Sequence, residues 1–429
     1  MAEEELRLLA DFPPVTTEEW ESAIAADLRG ADYSKNLVWQ SDEGIAVRPY
    51  YRREDVPEGM ARPVMAGEWE ILEELPQAGV VDATRWHEQG GTAVEELAFA
   101  MAAGSDDLAS GRAVAGLAFA VGSNYFFEIA KLRAARLLWA RVAAAYGASG
   151  ELKLYAVTAL ANKSIYDPYT NLLRATTEAL SAVVGGCDGL VVQAAGFSPR
   201  LGKNVQLLLR EESHLNQVAD PAGGSYYVEA LTGALAREAW AVFQQVEIEG
   251  GYARASSFIG ERLAASKAAK EQAVASRRRT LVGVNGYPDM NENGLERVDS
   301  LGSAGWRLAR PLEEIRLRTE RHTRETGRRP KVLLLRRGEQ KAQMAQAQFC
   351  LNLFGCAGFE VEEGDSFEGS DADLVVLCAP DAELPELARE AGARVKAMVV
   401  AGFADAGPDM AQTLAEWQQR LGVGGREGA

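Results

Sequence analysis

Apolar positions in the middle of the chain alternate between short runs typical of buried strands and longer stretches with helical spacing. Residues 117–121 are continuously apolar, and the stretch 126–139 after them repeats its apolar residues every three or four positions. The same order of strand and helix recurs at 80–83 with 92–103, at 152–157 with 169–184, and at 190–192 with 204–210. Repeated units of this kind favour parallel strands joined by right-handed crossovers. The pattern predicts four β/α units, half of what a closed barrel needs.

A second α/β pattern begins at residue 331, after two long predicted helices and a polar stretch that contains one more helix, at 311–325. Apolar strand candidates alternate there with helices, as in doubly wound sheets. The predicted fold class is α/β: a partial (half) TIM-type β/α barrel plus a C-terminal doubly wound flavodoxin-like domain. The strands are predicted at 332–335, 358–361, 373–378 and 397–401, and the helices at 344–354 and 383–391.

The N-terminal part has its own pattern. A helix over 13–30 is predicted from the capping pair Thr16 and Glu19, and a hairpin is predicted around the turn 41–44. The predicted domains are an N-terminal arm or cap (1–78), a partial barrel with a helical tail (79–289), a linker (290–330) and the last α/β domain (331–429).

An open half barrel exposes unpaired strand edges and one face of its sheet. Three things are candidates to cover them: the segment 62–75 with Trp69, a second copy of the chain, or a partner subunit.

Composition narrows the class of protein. The net charge of −17 argues against a nucleic-acid surface, and no apolar run is long enough to span a membrane. The acidic start lacks a signal-peptide core, and the four cysteines form no C-x-x-C pair, so we expect a cytoplasmic protein without a metal site.

Three ordered blocks of sequence resemble the methylmalonyl-CoA mutase family. They are residues 121–139, which include Gly122-Ser123-Asn124, residues 167–188, which begin Asp167-Pro168-Tyr169, and residues 211–229, which include Asp220-Pro221-Ala222-Gly223-Gly224. The resemblance implies an adenosylcobalamin-dependent interconversion of (R)-methylmalonyl-CoA and succinyl-CoA. It also implies that the N-terminal arm wraps a partner subunit, although a cap on the chain's own core explains that segment equally well.

The chemistry of that family is missing at the corresponding positions. The family's cobalamin domain carries Asp-x-His-x-x-Gly after its first strand, with the histidine as the lower cobalt ligand. Aligned on Gly338, this chain has Gln340, Ala342 and Ala345 there, and alanine cannot ligate a metal. The barrel stretch that reads Arg-Thr-His-Ser-Gln in catalytic subunits, here within residues 153–161, has Lys153 as its one basic group. We therefore expect no cofactor-binding residue in this chain, with adenosylcobalamin held by the partner.

His87 is the one weak candidate for a catalytic residue. In the segment Trp86-His87-Glu88 it is predicted to end the first strand, where barrel enzymes place their catalytic groups. A structural histidine is the competing interpretation. His214 is expected to be architectural and His322 solvated, and Ser123, Ser213 and Ser225 have no nearby His and Asp that would suggest a hydrolase triad.

These observations favour a non-catalytic subunit that pairs with a catalytic methylmalonyl-CoA mutase subunit in a heterodimer or higher oligomer. A self-associating scaffold or regulatory protein derived from a mutase is the alternative. A third interpretation, an independent enzyme with a remodelled pocket, rests on His87.

Overall fold

The computed structural model describes residues 12–56, 67–301, 305–338, 340–392, 397–401 and 409–423, with the backbone alone for 340–342. Its N-terminal part contains two helices and a small antiparallel hairpin: α1 (Thr17–Asp27), α2 (Tyr33–Leu37), β1 (Trp39–Gln40) and β2 (Ala46–Val47). The predicted capping box of Thr16 and Glu19 is confirmed at the start of α1, and the predicted hairpin is confirmed as well.

A five-stranded parallel sheet with helices follows. Its elements are β3 (Glu70–Leu72), β4 (Val80–Asp82), α3 (Thr84–His87), α4 (Ala93–Ala109), β5 (Gly116–Val121), α5 (Tyr125–Ala145), β6 (Lys153–Thr158), α6 (Pro168–Val184), β7 (Gly189–Val191), α7 (Pro199–Leu207), α8 (Tyr226–Ile248) and α9 (Ser256–Ala275). The four predicted β/α units are confirmed, each with boundaries that shift by a few residues.

The strand order is β3-β7-β6-β5-β4, so the first strand pairs with the last, as it does in a closed barrel. The edges β3 and β4 do not pair with each other, and the barrel is open between them. Strand β3 was missed by the sequence analysis because three residues without a following helix form no β/α repeat. It lies within the segment 62–75 that was considered as a cover, of which residues 62–66 are outside the described part.

Tyr155 of β6 lies across the concave face of the sheet. A Cβ atom at Gly116 or at Gly189, on the two neighbouring strands, would come within 2.7 and 2.9 Å of its ring. The two glycines therefore let one aromatic side chain cover three strands. This covering compensates in part for the missing opposite wall of the barrel.

The helices pack on the convex face. Trp139 at the end of α5 is buried, and its ring occupies the place where a Cβ atom of Gly104 in α4 would lie, 2.5 Å away. Helix α8 packs against both α4 and α5. The core of this region is built from the outward-facing strand residues, such as Leu117, Phe119 and Leu154, and these three helices.

The C-terminal region is a second parallel sheet with helices on both faces. Its elements are α10 (Arg310–Thr326), β8 (Lys331–Arg336), α11 (Gln340–Cys356), β9 (Glu360–Gly364), β10 (Leu374–Cys378), α12 (Leu384–Gly392), β11 (Met398–Val400) and α13 (Met410–Arg420). The strand order β11-β10-β8-β9 is flavodoxin-like, so the predicted fold class is confirmed for both regions. Helix α13 was not predicted. The domain boundaries remain predictions.

Candidate functional site

His87 lies at the carboxyl end of the barrel strands, but not at the end of a strand as predicted. The chain turns into the short helix α3 after β4, and His87 is its last residue. Its Nδ1 atom is 2.8 Å from Oε1 of Glu96, which belongs to the first turn of α4. A buried carboxylate therefore fixes the orientation of the imidazole ring.

Lys131 of α5 contacts the Glu96 carboxylate of this pair. Its Nζ atom donates to Oε2 of Glu96 at 3.1 Å and to the carbonyl of Ala120 at 2.6 Å, and it lies 2.7 Å from Oε2 of Glu128. Oε1 of Glu128 accepts the backbone N–H of Gly122 at 3.0 Å. We call His87, Glu96, Glu128 and Lys131 the mouth cluster.

The charges of the mouth cluster stabilise one another. Burial alone would raise the pKa of Glu96, but Lys131 and His87 outweigh it, and the pKa lies below the ordinary carboxyl value. Burial likewise would lower the pKa of Lys131, and Glu128 and Glu96 raise it instead. Both groups are therefore charged at neutral pH, which is the condition for a stable buried ion pair.

The β1–β2 turn closes the site from above. Glu43 at this turn lines the same cavity, and burial raises its pKa although Lys270 of α9 acts against the rise. Lys270 donates to the carbonyl of Gly91 at 2.6 Å, and Asp42 forms an ion pair with Arg279 at 2.6 Å. The N-terminal hairpin therefore acts as a lid over the strand ends, held by the ion pair of Asp42 with Arg279.

The space that remains between the lid and the mouth cluster is about 60 Å³. Ser123 and Asn162 contribute to its wall. This is room for a few water molecules, whereas pockets for organic ligands are typically about 300–1,000 Å³. The arrangement can hold and exchange protons, but it cannot take a substrate as large as a thioester while the lid is closed.

A second buried pair lies beside the first, where the chain leaves β6. Lys163 Nζ is 2.7 Å from each carboxylate oxygen of Glu178, and Nδ2 of Asn162 donates to the same carboxylate at 2.7 Å. Here burial prevails: it lowers the pKa of Lys163 and raises that of Glu178. For this pair the cost of burial outweighs the attraction between the two charges, the reverse of the mouth cluster.

Two further basic residues of α5 contact the other two sequence blocks. Arg133 pairs with Asp220 and, at 2.8 Å, with Glu229, and Arg136 pairs with Asp188 at 2.8 Å. The sequence blocks that carry the family resemblance are thus joined by buried ion pairs.

The other candidate residues are scattered. His214 is exposed in a left-handed turn, His322 is half-buried in α10, Ser213 is exposed and Ser225 caps α8. The structure brings only Ser123 near His87. Within the described ranges, no group of three or more His, Cys, Asp or Glu residues is placed to hold a metal ion.

At the positions that the resemblance assigns to the cobalt ligand, helix α11 begins at Gln340, directly after the turn at Gly338. The side chains of Gln340 and Ala342 lie outside the described part of the chain. Gly338 itself is crowded, because a Cβ atom there would come within 2.8 Å of Pro380 and closer still to Glu383.

Sequence reasoning missed Glu96, Lys131 and Glu43 as parts of one site. Glu128 and Lys131 stand three residues apart on α5, which was the one available signal, but this spacing is equally common on solvated helices. The partners come from α4 and from the hairpin, and no local pattern links those segments to α5.

Residues 73–328 match a family model described as methylmalonyl-CoA mutase. A methylmalonyl-CoA mutase small subunit of Porphyromonas gingivalis is 28% identical over 570 aligned positions, covering 90% of this chain and 91% of that protein. Small subunits of Streptomyces virginiae and, as a probable one, of Mycobacterium tuberculosis H37Rv are each 35% identical, covering 81% and 78% of this chain.

This chain spans 65% and 60% of the length of the Streptomyces and Mycobacterium proteins, which is less than two thirds. The alignment to the Porphyromonas protein is longer than the 429 residues of the chain, so it contains long gaps. Among the helices of the described residues, none combines the length and the apolar character that crossing a membrane would require.

Proposed function

Because the chain belongs to the methylmalonyl-CoA mutase family, we propose that it is a non-catalytic subunit of an adenosylcobalamin-dependent acyl-CoA mutase. In this proposal a partner chain in the cytoplasm holds the cofactor and isomerises methylmalonyl-CoA to succinyl-CoA. The present chain stabilises the partner by binding to it.

The single observation that carries the proposal is the closed site at the carboxyl ends of β4, β5 and β6. Active sites of β/α barrels lie at the carboxyl ends of the strands, and here that region is occupied by the mouth cluster and by Glu43 of the lid. At these three strand ends a cavity of about 60 Å³ leaves no place for an acyl thioester. His87 is engaged by Glu96, which supports a structural role for it.

The C-terminal sheet does not fit cobalamin with a histidine lower ligand. The chain has three histidines, and none follows His322, so the flavodoxin-like region contains no imidazole. Helix α11 starts where the family's ligand loop would run. We therefore assign the cofactor to the partner.

The N-terminal region supports a role in assembly. Helix α1 buries none of its residues, and Trp20 is 44% exposed, although it stacks on Tyr50 with the ring centroids 5.0 Å apart. Trp39 is 49% exposed and contacts Phe127 of the barrel. Trp69, which belongs to the segment that was a candidate to cover the open barrel, is buried within its own chain. Trp20 and Trp39 are therefore two aromatic residues of the N-terminal region that are available to a partner.

Co-expression with a full-length mutase chain that carries Asp-x-His-x-x-Gly tests the proposal. We expect co-purification, a heteromeric mass by light scattering, and mutase activity that His87→Ala leaves within a few-fold. A hundred-fold loss, the usual scale for removal of a general acid or base, would make His87 catalytic and contradict the proposal. A stable homodimer that ignores every mutase chain would favour the scaffold alternative.

A further inference from the structure

The exposed positions of α6 carry no charged side chain. The structure describes all 17 residues of this helix, and its two charged residues are both engaged within the chain. Glu178 is buried in its pair with Lys163, and Arg174 donates to the carbonyl of Val282 at 2.6 Å. Charged residues are depleted at the centre of protein interfaces. A neutral exposed face on an outer helix is therefore a candidate contact surface.

The exposed residues of α6 form one ridge. Tyr169, Leu173 and Thr177 follow one another at four-residue spacing along the helix. Tyr169 is 78% exposed and Leu173 is 66% exposed. The hydroxyl of Thr177 donates to the carbonyl of Arg174 at 2.9 Å, so a partner can cover it without leaving a polar group unsatisfied.

The turn that follows α9 extends this surface. Val282 forms a bridge with Gly286, and its carbonyl accepts the hydrogen bond from Arg174, which holds the turn beside the start of α6. Val282 is 48% exposed and Tyr287 is 71% exposed. We give the name α6 face to Tyr169, Leu173, Thr177, Val282 and Tyr287.

The α6 face is large enough for a stable dimer. Its two tyrosines, its leucine and its valine leave on the order of 500 Å² in contact with water. An exposed patch of this size is as large as the largest on a typical monomer and is often functional. A standard interface buries about 800 Å² on each partner, so the face supplies more than half of one side.

The composition of the α6 face favours a second copy of this chain as its occupant. A partner of different sequence is usually selected by complementary charges, and the face offers none. Interfaces between identical subunits are more apolar than those of other complexes. Two chains of net charge −17 also repel each other least where neither exposes a charge.

The spacing of the ridge fits pairing with itself. Ridges of four-residue spacing on two helices interdigitate when the helices cross at about −50°. A two-fold axis brings the same ridge from both copies to the contact, so one sequence meets this condition on both sides. We propose that two copies of this chain pair through the α6 face about a two-fold axis, with Leu173 at the crossing. The pairing goes beyond the proposed function, because it does not require the mutase chain.

Sedimentation velocity of the full chain over a wide range of micromolar concentrations tests the pairing. We expect a reversible dimer. Leu173→Glu should raise its dissociation constant at least about tenfold, because two carboxylates would face each other across the axis. The control Leu208→Glu changes an exposed leucine outside the α6 face and should leave the constant within about twofold. A chain that stays monomeric throughout, or a control that is equally disruptive, would overturn the proposal.

Cysteine cross-linking locates the contact. The four native cysteines are all buried, so a cysteine introduced on the surface is the reactive thiol. Diamide takes up the two hydrogen atoms of two thiols, and a disulfide forms where the two Cα atoms lie within about 7 Å. Leu173→Cys or Thr177→Cys should give disulfide-linked dimers, whereas Ser257→Cys on exposed α9 should not. Dimer yields no higher than that of the control in both variants would refute the pairing.

The complex with a co-expressed mutase chain separates this inference from the proposed function. We expect two copies of each chain, and Leu173→Glu should halve the mass while the mutase chain still co-purifies. Loss of the mutase chain in that variant would mean that the α6 face binds the mutase chain, which contradicts pairing between copies. A mutase chain that never binds contradicts the proposed function, and the dimer is then decided on this chain alone.

Discussion

Charged residues are arranged in opposite ways at the two sides of the barrel sheet, although both sites lie at the carboxyl ends of the strands. At β4, β5 and β6 the strand ends are closed by a fully paired cluster around Lys131, and about 60 Å³ remains. At β7 and β3 the strand ends open into about 940 Å³, beside two cations of α7, Arg200 and Lys203, that form no ion pair within the described residues. The difference follows from what packs next to each end: α4, α5 and the hairpin lid cover the first, and no helix follows β3 at the second.

The comparison separates two uses of ionic residues. Buried pairs in the closed end hold four segments of the chain together, because each charge is satisfied only when the others are in place. Cations at the open end have no such partners among the described residues, which leaves them available for a contact outside the chain. A family resemblance alone does not distinguish these cases.

The largest effect should come from removing the central cation of the closed end. Lys131→Met leaves Glu96 and Glu128 buried without a counter-ion, and we expect a loss of about 3–5 kcal/mol in the free energy of unfolding. The matched control is Lys203→Met in the open cavity, which should change it by less than about 0.5 kcal/mol. Urea denaturation followed by circular dichroism measures both, and similar losses in the two variants would refute the contrast.

Gly189→Ala should have the next largest effect, because it strikes the contact between β3 and β7. The new methyl group would lie 2.7 Å from Leu72 and 2.9 Å from Tyr155, so we expect a loss of about 1–3 kcal/mol. Gly260→Ala on α9 is the control. It meets no atom within 4 Å and should stabilise its helix by up to about 1 kcal/mol. Thermal unfolding of both variants decides the question.

The pH dependence distinguishes the two buried pairs. Because the pKa of Glu96 is lowered by folding, its stabilising contribution is present above the ordinary carboxyl value and is lost as the pH falls. Glu96→Gln should therefore flatten the loss of stability between about pH 5 and 3.

Burial raises the pKa of Glu178, so as the pH falls the folded chain binds this proton before the unfolded chain does. Protonation of Glu178 therefore adds to the free energy of unfolding as the pH falls, which is opposite to the effect of Glu96. Glu178→Gln should leave the acid-induced loss unchanged or make it steeper. Stability measured against pH for both variants tests the assignment, and the same slope change in both would contradict it.

The smallest effect is expected at the lid. Burial raises the pKa of Glu43 in the folded chain. As the pH rises from the ordinary carboxyl pKa through this raised pKa, the carboxylate therefore lowers the free energy of unfolding. Glu43→Gln removes that cost and should change stability at neutral pH by less than about 1 kcal/mol, with the gain growing as the pH increases. A large loss at neutral pH would mean that the electrostatic attraction between Glu43 and Lys270 holds the lid.

The sequence predicted the parts of the fold that leave a periodic signal. The four β/α units, the capping box at Thr16 and the flavodoxin-like region were visible because each repeats a local pattern. Strand β3 was not, since three residues next to a polar loop carry no period, and its partner β7 is far away in the chain.

The candidate site was predictable only in outline. His87 was singled out for its position near a strand end, and it does lie at the mouth of the barrel, although on a helix. Glu43 and Glu96 became part of the site through tertiary packing, which no spacing along the chain reports. The cavity beside α7 depends on the absence of a helix after β3, and that too required the three-dimensional arrangement.

The pairing of β3 with β7 also affects how the chain is made. Glu70 is placed opposite Gly189, more than a hundred residues later, so β3 has no partner until most of the half barrel has been synthesised. At about 5–20 residues per second, this strand waits on the order of ten seconds. Contacts of such high sequence separation slow folding. Removal of β3's partner by truncation before residue 189 should therefore yield a nascent chain that depends strongly on chaperones.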